Sequence, residues 1–170
     1  IPDLGGALPP VGFTGSARVQ STAPLVGVVE DLDPDTGAAA APARPDSYVN
    51  TEYLPSLRND GTDAELITVL NGRDAAANVQ VRYYNATGTP LAVAGGDNFT
   101  LAPHALTTLN LIARLPVGWN GSAVLTSEQK VFAQVWAGSG SAHMLELYAG
   151  RDGGAEFFHF PAVYKAASGW

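Results

Sequence analysis

The feature that most constrains the fold is a segment of the chain that occurs twice. Residues 10–29 align without gaps with residues 116–135, an offset of 106 residues, and eight of the twenty positions are identical. The same offset places Leu54–Leu57 on Phe160–Val163. Each copy of the segment reads as Gly, an aromatic residue, a turn with Gly-Ser, a strand, a four-residue turn and a second strand. A fixed period of this size predicts tandem β-domains.

The rest of the chain fits the same class. Its 19 glycines and 12 prolines punctuate short β-rich runs, and no amphipathic helical stretch of ten residues occurs. We therefore predict an all-β protein of antiparallel β-sandwich repeats, immunoglobulin-like and about 106 residues long. Residues 1–52 would be the C-terminal half of one repeat plus a linker, residues 53–156 a complete repeat, and residues 157–170 the leading strand of the next.

Individual elements can also be predicted. Asn78–Asn85 alternates apolar and polar residues as a half-buried strand does, and Asn85–Gly88 then reads as a hairpin loop with Gly88 in the left-handed conformation. The second copy of the duplicated segment predicts a hairpin of Ser122–Ser127 and Val131–Trp136. The acidic and Pro-containing stretch from Glu30 to Pro45 reads as an irregular connection.

Composition excludes several classes of protein. Only 15% of the residues are charged, which is low for a freely solvated surface, and the net charge is −7. Nucleic-acid binding needs clustered Lys and Arg, so this charge argues against it. No apolar run approaches 18 residues, so no membrane span is expected. The chain has no cysteine, which excludes a disulfide scaffold. It begins at Ile1-Pro2, and we expect a processed or cut N-terminus.

Several of these segments resemble a repeat found in tandem in bacterial cell-surface proteins. The resemblance rests on the runs YLPSLRN, VQVRYYNATGTPL, FTLAP and LPVGWNGSAVLTSEQKVFAQV. The match covers Leu54 to Val135, and a partial second match covers Leu8–Val29. The family's hairpin motif corresponds to Tyr83–Gly88 and its Gly-aromatic-x-Gly-Ser-Ala motif to Gly118–Leu125. The run between Asn59 and Asn71 departs from the family pattern. The resemblance implies an extracellular β-sandwich repeat.

No catalytic set can be assembled from the sequence. The histidines, His104, His143 and His159, lie in three different segments, and each is more simply structural or solvent-exposed. Asp31, Asp33 and Asp35 have the alternate spacing with which calcium loops begin, but the glycine comes one residue late and position twelve is Pro42. We therefore predict a protein that is not an enzyme and has no catalytic residue, cofactor or metal, with calcium at the acidic loop as an open alternative.

Aromatic residues offer a second open choice. Phe13 and Trp119 occupy the same position in the two copies. Such a recurring aromatic residue is most simply part of a core, but with Tyr84, Phe132 and Trp136 it could form a platform for stacking sugars. Phe132 and Trp136 are also predicted on the face opposite the apolar Val131, Ala133 and Val135. They need either a second layer or a partner to cover them.

Together these patterns predict an extracellular structural protein, a subunit or repeat of a bacterial surface filament or surface layer. Copies would assemble with one another head to tail by strand docking, since unpaired apolar strands are templates for added strands. The predicted self-assembly residues are Phe157, Phe158, Phe160, Val163, Phe132, Trp136, Val26 and Val28.

The alternative is a carbohydrate-binding or adhesive β-sandwich module of a surface or secreted protein, which needs an exposed row of aromatic residues. Glycans could also be attached to the protein. Three Asn-x-Ser/Thr tripeptides provide possible glycosylation sites at Asn85, Asn98 and Asn120.

Overall fold

The computed structural model describes residues 28–33, 37–42, 49–93, 97–139 and 144–151, together with Thr22. This part of the chain contains ten β-strands and no helix, so no helix of membrane-spanning length and apolarity occurs in it. All strand pairs are antiparallel, which confirms the all-β, antiparallel part of the prediction. The strands are β1 Val28–Asp33, β2 Gly37–Pro42, β3 Val49–Asn59, β4 Ala64–Asn71, β5 Ala77–Asn85, β6 Pro90–Leu91, β7 Asp97–Leu101, β8 Leu106–Asn110, β9 Trp119–Ser139 and β10 Met144–Ala149.

Strand β9 is the centre of a curled sheet that contains β3 to β10. The first half of β9, residues 119–127, lies between β3 on one side and β5 on the other. Its second half, residues 131–138, pairs with β4, while β10 pairs with residues 134–139 on the other side. Strands β6 and β7 extend the sheet beyond β5, and β8 extends it beyond β4. One 21-residue strand thus joins two groups of partners.

The predicted hairpin within 122–136 is wrong, because β9 runs through it without turning back. Its two halves do not pair with each other, as the arms of a hairpin would. Instead the strand changes partners between them: β9 advances from Thr126 to Val131 while β3 moves only from Thr51 to Val49. This shift leaves three more residues in β9 than in β3, an irregularity of the bulge type, which bends the strand. The polar run from Ser127 to Lys130, which resembles a turn in sequence, is the corner at which the sheet curls.

The core lies on the concave side of this sheet. Odd-numbered residues of β9 face it, so Ala123, Leu125, Val131, Ala133 and Val135 are all buried. They form one cluster with apolar residues of both groups of strands and of the segment after β8, namely Leu54, Leu57, Ile67, Val69, Ala77, Val79, Val81, Tyr83, Leu101, Leu109, Leu111 and Leu115. The two-residue period of the strands explains this arrangement, since alternate side chains point to opposite faces.

Two further predictions concern the acidic stretch before residue 49. It contains two strands instead of an irregular connection: β1 and β2 pair with each other in register from Val28 with Pro42 to Asp33 with Gly37. This ribbon is a separate two-stranded sheet. Alanine has a low strand propensity, so the sequence of β2, GAAAAP, does not predict a strand. Its pairing with β1 decides its conformation. Asp31 and Asp33 accordingly lie in a strand.

Two buried asparagines close the turns that follow β3 and β4. The amide nitrogen of Asn59 donates to the carbonyl of Leu115 at 2.6 Å, and that of Asn71 donates to the carbonyl of Ala75 at 2.7 Å. Each also accepts from the backbone two residues later, at Gly61 and Arg73. Buried amides must be satisfied in this way, and here their hydrogen bonds fix how the strands end.

The predicted hairpin loop after β5 is confirmed. Gly88 has φ 82°, and its N–H donates to the carbonyl of Asn85 at 2.9 Å. The returning strand β6 is shorter than the predicted Thr89–Val93, with only two residues.

Candidate functional site

The convex side of the first group of strands carries a row of polar residues. The register pairs Asn98 with Gln80, Gln80 with Thr126, and Thr126 with Thr51, so one residue from each of β7, β5, β9 and β3 lies in a line. A second row contains Thr100 and Asn78, beside Glu128. We call this surface the polar face and define it by Asn50, Thr51, Asn78, Gln80, Asn98, Thr100, Thr126 and Glu128. It surrounds an open depression of about 560 Å³.

Hydrogen bonds between side chains hold the polar face in one arrangement. Gln80 Nε2 donates to Asn98 Oδ1 at 3.0 Å, and Thr100 Oγ1 donates to Asn78 Oδ1 at 2.7 Å. Arg82, at the next outward position of β5, donates through Nε to Gln80 Oε1 at 2.9 Å. Each bond links neighbouring residues on one face of the sheet, so the register of β5 and β7 determines the side-chain arrangement.

Glu128 ends the polar face at the corner of β9. Its Oε1 accepts from both the backbone N–H and the side-chain amide of Asn78, each at 2.8 Å. The backbone hydrogen bond from Asn78 is the main cause that lowers the pKa of Glu128 below its ordinary value. Asn50 Nδ2 secures the same corner by donating to the carbonyls of Ser127 and Glu128 at 3.0 Å. The polar face thus includes an ionised carboxylate in a defined position.

A different polar network lies under the sheet, on the core side. The hydroxyl of Tyr83 donates to Asp97 Oδ2, and Arg114 Nε donates to Asp97 Oδ1 at 2.9 Å. Burial raises the pKa of Tyr83 far above its ordinary value, and the hydrogen bond to Asp97 raises it further. The phenol therefore remains a donor. Its ring meets Trp119 edge-on with centroids 6.2 Å apart, which makes this network part of the packing.

Trp119 and Trp136 do not form the exposed aromatic row that the carbohydrate-binding alternative required. Both are half-buried, and each packs on the glycine two residues later. A Cβ on Gly121 would lie 2.7 Å from the Trp119 ring, and one on Gly138 would lie 2.3 Å from the Trp136 ring. Trp119 is on the core side of β9 and Trp136 on the outer side, so the two rings cannot share a platform. Tyr84 is half-buried as well.

The structure describes only three of the eight predicted self-assembly residues. Phe132 and Trp136 lie on the outer side of β9, opposite the core, as predicted, and both are half-buried. Val28 is the first residue of β1. Val26, Phe157, Phe158, Phe160 and Val163 lie outside the described residues, and so does Phe13.

The three possible glycosylation sites have different surroundings. Asn85 is half-buried, and its Oδ1 accepts from the N–H groups of Thr87 and Thr89 at 3.0 and 2.9 Å, so it organises its own hairpin loop. Asn98 is exposed on the polar face. Asn120 is exposed near the start of β9, where it pairs with Arg58.

Among the described residues, no group of three His, Cys, Asp or Glu side chains could hold a metal ion. His104 is exposed, has a left-handed backbone with φ 58°, and lies 2.9 Å from Asp74 through Nε2 and Oδ1. His143 and His159 are outside the described residues, as is Asp35 of the acidic stretch.

Sequence reasoning did not single out the polar face. The alternation within Asn78–Asn85 already placed Gln80 and Arg82 on one side of a strand, and this was the available signal. The partners of Gln80 are 18 and 46 residues away, at Asn98 and Thr126, and only the strand register brings them together.

Comparison with known proteins shows similarity of fold only. No protein family matches the chain, and no curated protein matches it. A crystal structure of Thermotoga maritima 1070 is similar with a TM-score of 0.53 and 17% identity, over 62% of this chain and 95% of that one. An Anabaena sensory rhodopsin transducer has a TM-score of 0.45 and 14% identity, over 51% of this chain and 94% of that one.

Proposed function

We propose that this chain is a non-enzymatic structural protein of the bacterial cell surface, a repeat or subunit of an extracellular filament or surface layer. In this proposal the curled sheet is one immunoglobulin-like sandwich repeat, and copies follow one another with a period of about 106 residues. The duplicated segment, the low content of charge and the resemblance to tandem surface repeats support it. The observation that carries it is the way in which both ends of the sheet are attached to β9.

The first and last strands of the sheet lie on the same side of β9 and run in the same direction. β3 begins beside Val131, and β10 ends beside Gln134. The chain then joins β3 again, because Arg151 and Tyr53 exchange two backbone hydrogen bonds of 2.7 and 3.0 Å. If the two ends were pulled apart along the strands, β3 and β10 would slide against β9. The bonds of each ladder would then resist together, which suits a repeat under tension.

The free side of β3 is protected against unwanted strand pairing. The backbone N–H and carbonyl of Tyr53 are bonded to the backbone of Arg151, and the N–H of Arg58 donates to the Glu65 carboxylate. Pro55 has no N–H that could bond to another strand. The Tyr148 hydroxyl donates to the carbonyl of Ser56. Natural sheets use such devices to prevent uncontrolled association. Strand docking would therefore use β7 or β8, each of which has one side without a partner strand among the described residues.

Assembly of purified protein tests the proposal. We expect the full chain to form filaments or large oligomers in negative-stain electron microscopy and sedimentation velocity. Deletion of residues 157–170, the predicted docking strand, should leave monomers. Deletion of residues 1–10, a Gly- and Pro-rich segment of similar length, is the matched control and should not alter assembly.

Each outcome bears on a separate part of the proposal. A full chain that stays monomeric at high concentration would contradict the structural function. Filaments that persist without residues 157–170 would contradict strand docking by that segment but would still support assembly of the protein.

A further inference from the structure

We propose that the polar face binds a neutral saccharide chain that lies across β7, β5, β9 and β3. This ligand site goes beyond the structural function and does not depend on it. It also differs from the tryptophan platform considered above, since neither Trp119 nor Trp136 takes part.

The chemistry of the polar face matches that of sugar hydroxyls. A hydroxyl both donates and accepts a hydrogen bond, and so do the amides and hydroxyls of Asn, Gln and Thr. Several of these groups retain unused capacity: within the described part of the chain, no hydrogen bond occupies the Nδ2 of Asn98 or the hydroxyl of Thr126. Gln80, between them, keeps one N–H free because its other N–H donates to Asn98.

The arrangement is preorganised for a ligand. The bonds from Gln80 to Asn98, from Thr100 to Asn78 and from Asn78 to Glu128 hold five side chains in place without any ligand present. Binding then costs less side-chain entropy than it would on an unlinked polar surface.

The dimensions favour an extended chain over a single small molecule. Four strands in a row, spaced as in any sheet, give a line of polar groups about 14 Å long. The depression is open to solvent, so it does not enclose its ligand on all sides. Tyr53 lies on the same outer face of β3, two residues from Thr51, and is 46% exposed, which leaves a ring free for contact with the apolar side of a sugar.

Charge and backbone pairing select against other ligands. Glu128 puts a negative charge at one end, Arg82 is engaged by Gln80, and the chain has a net charge of −7, so anionic chains are repelled. An extended peptide recognises a sheet through the unpaired backbone of an edge. In this face β5 and β9 are paired on both sides, so their backbones cannot take up a further strand.

Affinity electrophoresis of the full chain tests this site. Native gels would contain dextran, pullulan or hydroxyethyl cellulose as neutral probes, and heparin as the anionic one. We expect at least one neutral polysaccharide to retard the protein and heparin to have no effect. The double variant Gln80→Ala/Asn98→Ala should bind about tenfold more weakly, the loss of about 1.4 kcal/mol expected for removing these hydrogen bonds.

The matched control is Thr68→Ala/Thr108→Ala. These two hydroxyls form a bonded cross-strand pair, 3.2 Å apart, on β4 and β8, outside the polar face. This variant should be retarded like the parent, and thermal unfolding should show that both variants fold. The proposal is overturned if no neutral probe retards the parent, if heparin alone does, or if the Gln80/Asn98 variant binds unchanged. None of these outcomes bears on the assembly test by electron microscopy, so the two proposals can fail independently.

Discussion

The two halves of β9 share one core pattern but differ on the outside. In both halves, odd-numbered residues are buried: Ala123 and Leu125 in the first, Val131, Ala133 and Val135 in the second. The outer residues of the first half include the exposed Asn120 and Thr126, whereas Phe132, Gln134 and Trp136 of the second half are all half-buried. The inner side of the strand thus serves packing throughout, and the outer side carries the difference between the two regions.

The halves also use the same short motif in opposite ways. Trp119-Asn120-Gly121 begins the strand, and Trp136-Ala137-Gly138 comes close to its end. In each, an indole covers a glycine two residues later, a known means of protecting a glycine within a sheet. The first pair lies on the core side and the second on the outer side. We therefore expect the same sequence spacing to contribute differently to the free energy of unfolding in the two regions.

Replacing Gly121 or Gly138 by alanine should give the largest difference in stability between the two halves. A Cβ on Gly121 would lie 2.0 Å from the backbone carbonyl oxygen of Tyr84, which cannot move without breaking the sheet. We expect Gly121→Ala to lower the free energy of unfolding by about 3 kcal/mol. At Gly138 the three nearest atoms all belong to the Trp136 side chain and none to the backbone, so Gly138→Ala should cost about 1 kcal/mol. Urea unfolding measures both, and equal losses would contradict the contrast.

Removal of the Tyr83 hydroxyl should have the next largest effect. Tyr83→Phe deprives the buried Asp97 carboxylate of one of its two donors, and hydrogen bonds to charged groups contribute about 2 kcal/mol. The adjacent Tyr84→Phe is the matched control, since Tyr84 faces outward and is half-buried. We expect chemical denaturation to show the loss in the first variant alone. A similar loss in both would mean that ring packing, and not the network, is being measured.

Trp119→Phe should be tolerated despite the position of this residue beside the core. The indole Nε1 is buried and has no hydrogen-bond partner among the described residues, which costs about 1 kcal/mol or more. Phenylalanine lacks this donor and stands at the equivalent position of the other copy, as Phe13. We expect the free energy of unfolding not to decrease. A clear decrease in differential scanning calorimetry would contradict this prediction.

The smallest expected effect concerns acid stability at the turn after β3, where the first group of strands ends. Hydrogen bonds from the N–H groups of Asp63 and Thr62 lower the pKa of Asp60 from 3.8 to about 2. A carboxylate with a lowered pKa stabilises the fold above its unfolded pKa of about 4. This contribution is lost as the pH falls toward 2.

Asp60→Asn keeps an acceptor oxygen but does not titrate. Because the variant lacks the contribution of the ionised carboxylate, its melting temperature should lie slightly below that of the parent at pH 7 and fall less steeply between pH 4 and pH 2, so that the two curves converge. Parallel curves over that range would show that the turn does not contribute to acid sensitivity.

Much of the strand framework could be predicted from local patterns. The alternation in Asn78–Asn85, the turn after Asn71 and the left-handed Gly88 each rest on a few neighbouring residues, and each is found in the structure. The hairpin within residues 122–136 failed because a run of polar residues is compatible with both a turn and a bulged corner. The choice between them depends on which strands are available to pair, and that information is not local.

The polar face shows the same limit. Local alternation identifies the outward residues of β5, but the face needs Asn98, Thr126 and Thr51 at the same height on three other strands. A shift of one residue in any register would turn those side chains into the core.

The sequence by itself determined the class of this protein and the inner side of its strands, because a two-residue apolar period has one favourable solution in water. It also revealed the duplicated segment. Only the tertiary structure decided that the second copy lies within one strand, β9, with two sets of partners, that an indole covers each of the two Trp-x-Gly glycines of β9, and which polar residues meet on the outer face. Those features arise from contacts between residues far apart in the chain, where pairing and packing outweigh local preference.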